Sequence, residues 1–317
     1  MFAAACLLSL TGCKVKVSDT STNELAGEII IDGSSTVLPI SQAVAEEFHH
    51  QYPDVSISVT GSGTSSGFKR LIAGDVDIAD ASRPITPKEI EQLAAQNIDT
   101  LELPVAIDGL SVAVSKENDW CKALTVAQLR DLWKDGTITK WNQLDPSWPD
   151  APIKLYGAGA NSGTFDYFTE VVNGKKGMTR EDYNQSENDN ELVIGIAGDK
   201  YALGYFGYSY FDENRDSLNA VKIAPGDDLS QAVEPTEATI ESGTYTPLSR
   251  PIFIYVKLPS LKRSEVQAYV DYYLSDKGQA LVTDAHCIRM NSKQLEETRA
   301  RYADALKALT QADAERP

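Results

Sequence analysis

The chain reads as an α/β protein of two lobes, and three observations say so. Strand-like and helix-like runs alternate along its whole length. Its 317 residues suffice for about two cores of ordinary size. Residues 101–115 form a nearly continuous apolar run, interrupted at Asp108-Gly109 and long enough to pass from one core into another.

Residues 1–26 stand apart from this pattern. Residues 1–10 are apolar and uncharged, with no Lys or Arg before them, and lead into Leu10-Thr11-Gly12-Cys13. That tetrapeptide resembles the bacterial lipobox. It implies a signal segment, a lipid on Cys13 and an exported chain that meets a membrane only through this anchor. Residues 14–23 make a polar tether.

The first unit then reads strand, loop, helix, strand. Residues 28–31 carry a β-branched run. Val37, Ile40, Val44 and Phe48 recur at helical spacing, with Pro39 in the first turn where it is tolerated. Residues 55–60 alternate as a strand. Phe68, Leu71 and Ile72 mark a helix closed by Gly74, and residues 75–79 a further strand. Thr86-Pro87 opens the next helix with a cap and a first-turn proline.

Beyond Asp108-Gly109, Thr125 caps a helix that runs to Trp133. Residues 153–156 are a strand, and Phe165, Phe168 and Val172 lie on one helix face. Residues 192–197 are helical in pattern, and 203–208 form an aromatic strand. Residues 251–256 form an apolar strand that returns to the first lobe, followed by helices over 266–274 and 294–309. The division is therefore 27–107 with 250–317 as lobe I, and 108–249 as lobe II.

Three loops rich in Gly, Ser and Thr each join a strand to a helix. They are Gly33-Ser34-Ser35-Thr36-Val37, Gly61-Ser62-Gly63-Thr64-Ser65-Ser66-Gly67 and Gly157-Ala158-Gly159-Ala160-Asn161-Ser162-Gly163-Thr164. A helix N-terminus offers unpaired N–H groups and a partial positive charge, and hydroxyls add donors without charge. An isolated Ser or Thr before a helix is usually an N-cap. Three such loops point to one small oxyanion gripped from several sides.

Composition narrows the field. The net charge of -17 excludes nucleic acid, whose backbone needs a basic surface. A small anion remains compatible, because charge on the surface is screened beyond ~8–10 Å while a cleft acts at contact distance. The only histidines are His49, His50 and His286, and no Cys/His cluster has metal-ligand spacing. The reading is a monomeric binder with no metal, no cofactor and no catalytic set. Cys121 and Cys287 lie 166 positions apart. An exported compartment permits a disulfide between them; two buried free thiols are the alternative.

Asp32-Gly33-Ser34-Ser35-Thr36-Val37, Gly63-Thr64-Ser65-Ser66-Gly67-Phe68-Lys69, Ala81-Ser82-Arg83-Pro84-Ile85 and Ser162-Gly163-Thr164-Phe165, in that order, resemble the phosphate-binding proteins of bacterial phosphate ABC transporters, the PstS family. Residues 186–190, 202–208 and 243–256 are similar to one branch of it, and the resemblance spans roughly residues 27–290. It implies a type II periplasmic-binding-protein fold, whose two lobes close over inorganic phosphate in a central cleft and deliver it to an ABC permease. It places Ser35, Thr36 and Val37, Thr64 and Ser65, and Ser162, Gly163 and Thr164 at the ligand.

Two positions depart from the family pattern. Many members carry an Asp just after the Ser that matches Ser82, where this chain has Arg83. Many carry an Arg four positions before the Ser that matches Ser162, where this chain has Ala158. Arg83 is therefore expected to supply the guanidinium. Asp108 is expected to accept the proton that phosphate carries and sulfate lacks, a discrimination of ~10⁴-fold or more. The competing readings are a lipoprotein that binds another oxyanion (sulfate, arsenate or molybdate) and a secreted phosphatase, for which no nucleophile–base pair is visible.

Overall fold

A computed structural model of the chain describes residues 25–160 and 162–314. Cys13, the leader and most of the tether lie outside the described residues, as does Asn161 of the third loop. No described helix is long and apolar enough to cross a membrane.

Lobe I begins with β1 (Gly27–Gly33), α1 (Leu38–Gln51), β2 (Val55–Thr60), α2 (Thr64–Ala73), β3 (Ile78–Ala81) and α3 (Pro87–Ala95). β2 and β3 flank β1, each parallel to it. The stripe Val37, Ile40, Val44 and Phe48 is fully buried, so the 3.6-residue period does set the face of α1. Gly74 ends α2 in the left-handed conformation at φ 82°. β3 starts later than the apolar pattern at residue 75 predicts. Asp77 first takes the Ile30 N–H at 3.0 Å and the Ser260 hydroxyl at 2.7 Å, and the chain bends there before pairing begins.

The long strand β4 (Thr100–Ser115) leads to β5 (Ala123–Thr125), α4 (Val126–Trp133), β6 (Lys154–Ala158) and α5 (Gly163–Asn173). Then come β7 (Asn184–Ser186), α6 (Asp189–Ala197), β8 (Ala202–Gly207), α7 (Tyr208–Glu213), β9 (Leu218–Ala220), β10 (Lys222–Ala224) and α8 (Glu237–Glu241). The chain returns through β11 (Ser249–Lys257) and closes with α9 (Ser264–Tyr273), α10 (Asp276–Asp284) and α11 (Ser292–Ala314). The three-residue strands β5, β7, β9 and β10 are too short to leave a period in the sequence.

One curled sheet joins the lobes in the order β2-β1-β3-β11-β4-β8-β6-β7, with β9 also on β4. β4 is buried almost throughout, which is why it reads as a continuous apolar run. It changes partners inside that run. Residues 100–109 pair antiparallel with β11, and Leu110 onward pairs with β8. The second crossing is just before β11, where the Leu110 N–H donates to the Leu248 carbonyl at 2.9 Å.

Each lobe has its own packing. In lobe II, Phe168 and Tyr205 stack at 3.7 Å while Trp133 meets Tyr205 edge-on at 4.9 Å. Lobe I covers one sheet face with α1 and α9 and the other with α2 and α3. This separation settles the cysteines. Cys121 is buried in the lobe II core, Cys287 lies against the lobe I core, and both are free thiols. The disulfide considered from the sequence is not formed. Burial pushes both thiols well above the ordinary range instead.

Candidate functional site

The loop after β1 wraps tightly. The Ser34 N–H donates to the Asp80 carbonyl at 2.9 Å, and the Ser34 carbonyl accepts from Val37 at 3.2 Å and Leu38 at 3.0 Å. The second loop is tied to the first by the Gly63 N–H, which donates to the Gly33 carbonyl at 2.6 Å. Beneath both, Asp32 takes Arg70 at 2.8 Å and both the N–H and hydroxyl of Ser62, at 3.1 and 2.9 Å. Burial pushes the Asp32 carboxyl up, and these donors more than offset it, leaving it below its usual range.

Side-chain caps are not uniform along the chain, and α7 and α9 begin without one. α3, α4 and α8 all begin with capping boxes that satisfy their first N–H groups. α1 and α2 begin without any side-chain cap. At α2 the Thr64 and Ser65 N–H groups stay outside the loop's hydrogen bonds, as does the Ser35 N–H before α1, whereas the first donors of α1 itself are taken by the Ser34 and Val37 carbonyls. In lobe II, Ser162 caps α5 by accepting from the Thr164 N–H at 3.1 Å.

These elements enclose a cavity of about 80 Å³ between the lobes. It falls well short of the roughly 300–1,000 Å³ of pockets for drug-sized molecules, so it suits one small ion. Ser35, Thr36, Thr64, Ser65 and Arg83 line one side, and Gly163 with Asp166, Tyr167 and Lys176 the other; Arg250 also reaches it. A larger cavity of about 250 Å³ lies behind the crossing strands, with Pro104, Ala106, Ile107, Ile240, Pro251 and Met290 in its walls. Donors converge on the smaller one, which is therefore the candidate site.

The lobes touch across it. A methyl group added at Gly163 would collide with Thr36 Oγ1 and come within 2.9 Å of Ser35 Oγ. Glycine leaves room there for the Thr36 and Ser35 hydroxyls and the Thr36 backbone nitrogen to approach α5.

Several residues singled out from the sequence lie elsewhere. Val37 is buried in the lobe I core with its N–H on Ser34, and it does not line the cavity. Ser162 and Thr164 form the α5 cap, and only Gly163 between them reaches the cavity wall. Asp108 is 8% exposed and sits behind Arg250, not on the wall, so its carboxylate meets a guanidinium where a phosphate proton was expected.

Arg83 does line the cavity, but most of its donors are engaged. Nη1 binds Glu89 at 3.0 Å and the Pro84 carbonyl at 3.0 Å, while Nη2 binds Glu89 at 2.9 Å and Ser65 at 3.1 Å. That uses four of the five N–H donors of a guanidinium. The pairing with Glu89 raises the Arg83 pKa further. Glu89 is also the acidic half of the α3 capping box, so a local partner holds this arginine.

Arg250 is the residue that the sequence reading missed. Its Nε and Nη2 each reach Asp108 Oδ2 at 3.3 Å, and Nη2 reaches Thr36 Oγ1 at 3.5 Å, leaving the Nη1 donors outside these bonds. Its guanidinium lies 3.6 Å from the centre of the Tyr167 ring. Burial pushes the Asp108 carboxyl up, with Arg250 opposing. The only signal in the sequence was an arginine beside a proline at the start of the returning strand. Lys176 pairs with Asp166 at 2.6 Å, so each of the cavity's cations carries its own carboxylate. Glu170 on the same wall adds one carboxylate more than the cations match.

Residues 18–277 match the family model described as a PBP superfamily domain. The chain is 38% identical over 293 residues to the phosphate-binding protein PstS of Staphylococcus haemolyticus, covering 92% of this chain and 87% of that one. A crystal structure described as a possible phosphate binding protein from Planctomyces limnophilus is 50% identical, with a TM-score of 0.83 over 89% of this chain and 99% of that one. A substrate-binding protein of a phosphate ABC transporter from Clostridium perfringens, solved with bound phosphate, is 31% identical. It has a TM-score of 0.60 over 84% of this chain and 100% of that one.

Proposed function

The chain belongs to the PstS family of phosphate-binding proteins, within the PBP superfamily, and from that premise we propose that it captures inorganic phosphate outside the cytoplasm and delivers it to an ABC permease. The observation that carries this reading is the 80 Å³ cavity between the first loop, the open N-terminus of α2 and the start of α5, with Arg83 and Arg250 on its wall. Backbone N–H and hydroxyl groups at Ser35, Thr36, Thr64, Ser65 and Gly163 grip the anion. Arg250 supplies the main guanidinium, oriented by Asp108, and Arg83 guards the mouth. The approach of Gly163 to Thr36 corresponds to lobes closed over the ion, a hinge motion about the β4 and β11 crossings. Release follows when the lobes part at the permease. The lipid on Cys13 and a monomeric state belong to the same proposal.

Isothermal titration against phosphate, arsenate, sulfate and molybdate tests it. Phosphate should bind at micromolar concentration or tighter, and sulfate far more weakly. Loss of a hydrogen-bonded charge costs about 1.5–3 kcal/mol, so Arg250→Met should weaken phosphate by roughly 10–150-fold. Because that variant strands a buried carboxylate, the pair Arg250→Met with Asp108→Asn serves as the folded control and should lose affinity likewise. Arg83→Met should lose much less. No phosphate binding at micromolar concentration would sink the proposal.

A further inference from the structure

Arg250 is held in a way that neither the loops nor the ion pair explains. Its guanidinium has three separate supports. Asp108 takes one edge, Thr36 touches Nη2, and the ring of Tyr167 lies against its face at 3.6 Å. Tyr167 is 3% exposed and sits four residues after Gly163 on α5, so both lie on the same side of that helix and both line the cavity. Its hydroxyl donates to the Pro247 carbonyl at 2.6 Å, three residues before Arg250 and on the segment that crosses between the lobes. Burial pushes the Tyr167 hydroxyl pKa up, so it stays a donor.

We infer that Tyr167 is a positioning residue: it acts on phosphate through Arg250, holding the guanidinium face with its ring and the crossing segment with its hydroxyl. The inference rests on Arg250 being the phosphate cation. A guanidinium on a freely rotating side chain loses conformational entropy when it is fixed on an anion. Stacking on a buried ring fixes the plane beforehand, so the Nη1 donors that Asp108 and Thr36 leave are set before the anion arrives. The arrangement also ties the charge to lobe II. α5 contributes Gly163 to the cavity wall and, one turn later, the ring that sets the arginine, so closing the lobes and presenting the charge are one movement.

A double-mutant cycle tests this. A buried cation–ring contact contributes about 0.5–2 kcal/mol, so Tyr167→Leu should weaken phosphate by roughly 2–30-fold. Tyr167→Phe keeps the ring and should recover most of that loss. In the Arg250→Met, Asp108→Asn background, Tyr167→Leu should cost less than about 2-fold, since there is no guanidinium left to place. An equal loss in both backgrounds would overturn the inference, as would a loss for Tyr167→Phe as large as for Tyr167→Leu. If Tyr167→Leu denatures the protein, the Phe and Arg250 arms are joined by Tyr167→Trp, which keeps a face for the guanidinium. Tyr167→Trp should bind within about tenfold of wild type, and a complete loss would count against the ring. Should Arg250 removal itself leave phosphate affinity intact, the functional reading of Arg250 fails first, and the cycle separates the two failures.

Discussion

Arg83 and Arg250 show what decides the role of a charged residue. Both line the cavity, and both carry a carboxylate partner. The sequence points to Arg83 because it sits in a recognisable loop next to Pro84. Its partner Glu89 was also visible, six residues on and in a capping-box pattern with Thr86. Arg250 and Asp108 are 142 positions apart, and no local pattern joins them. Their meeting is a property of the crossing strands alone. A third buried charge, Asp80, lies beneath the first loop with both carboxylate oxygens unpartnered and no exposure. Burial, opposed by Ser41 and reinforced by the nearby Asp32 charge, raises its pKa to about 7. An acid whose pKa is raised on folding costs stability once the unfolded chain ionises. The cost grows from about pH 4, levels off above pH 7, and reaches a few kcal/mol. Asp80→Asn should therefore gain on wild type in denaturant midpoint as pH rises from 5 to 8. A difference that stays constant across that range would refute the burial of a titrating carboxyl there.

At the level of elements, α5 does the most for the site. Its buried face of Phe165, Phe168 and Val172 anchors it in lobe II, and that face was legible from helical spacing. The same spacing reveals α1 through Val37, Ile40, Val44 and Phe48. Spacing does not tell which end of a helix meets a ligand. The N–H groups of Val37 and Thr164 are spent on Ser34 and Ser162, and only the packed structure separates those from the donors left open. Gly163 is the sharpest test of the lobe contact. Gly163→Ala puts a methyl group against Thr36 when the lobes close. Overpacking of this kind costs about 1–3 kcal/mol, so phosphate should weaken roughly 5–150-fold. Melting temperature should hold or rise, since alanine favours the helix. Unchanged affinity would mean that the first and third loops do not meet in the bound form.

Across the whole molecule, the two-lobed architecture was legible because β4 keeps one apolar run through a change of partners, with Asp108-Gly109 marking the place. The short strands and the placement of the central charge were not, because both depend on contacts far apart in sequence. The result is an acidic protein whose anion site is built from helix ends, hydroxyls and cations each paired with a carboxylate. A crystal structure of the chain with phosphate bound tests this most directly. The account predicts one phosphate between the lobes, with oxygens on Arg250, on the Ser35–Thr36 and Thr64–Ser65 loops, and on the Gly163 N–H, while Arg83 stays with Glu89. Phosphate held by Arg83 with Arg250 still turned wholly to Asp108, or seated in the cavity behind the crossing strands, would contradict it.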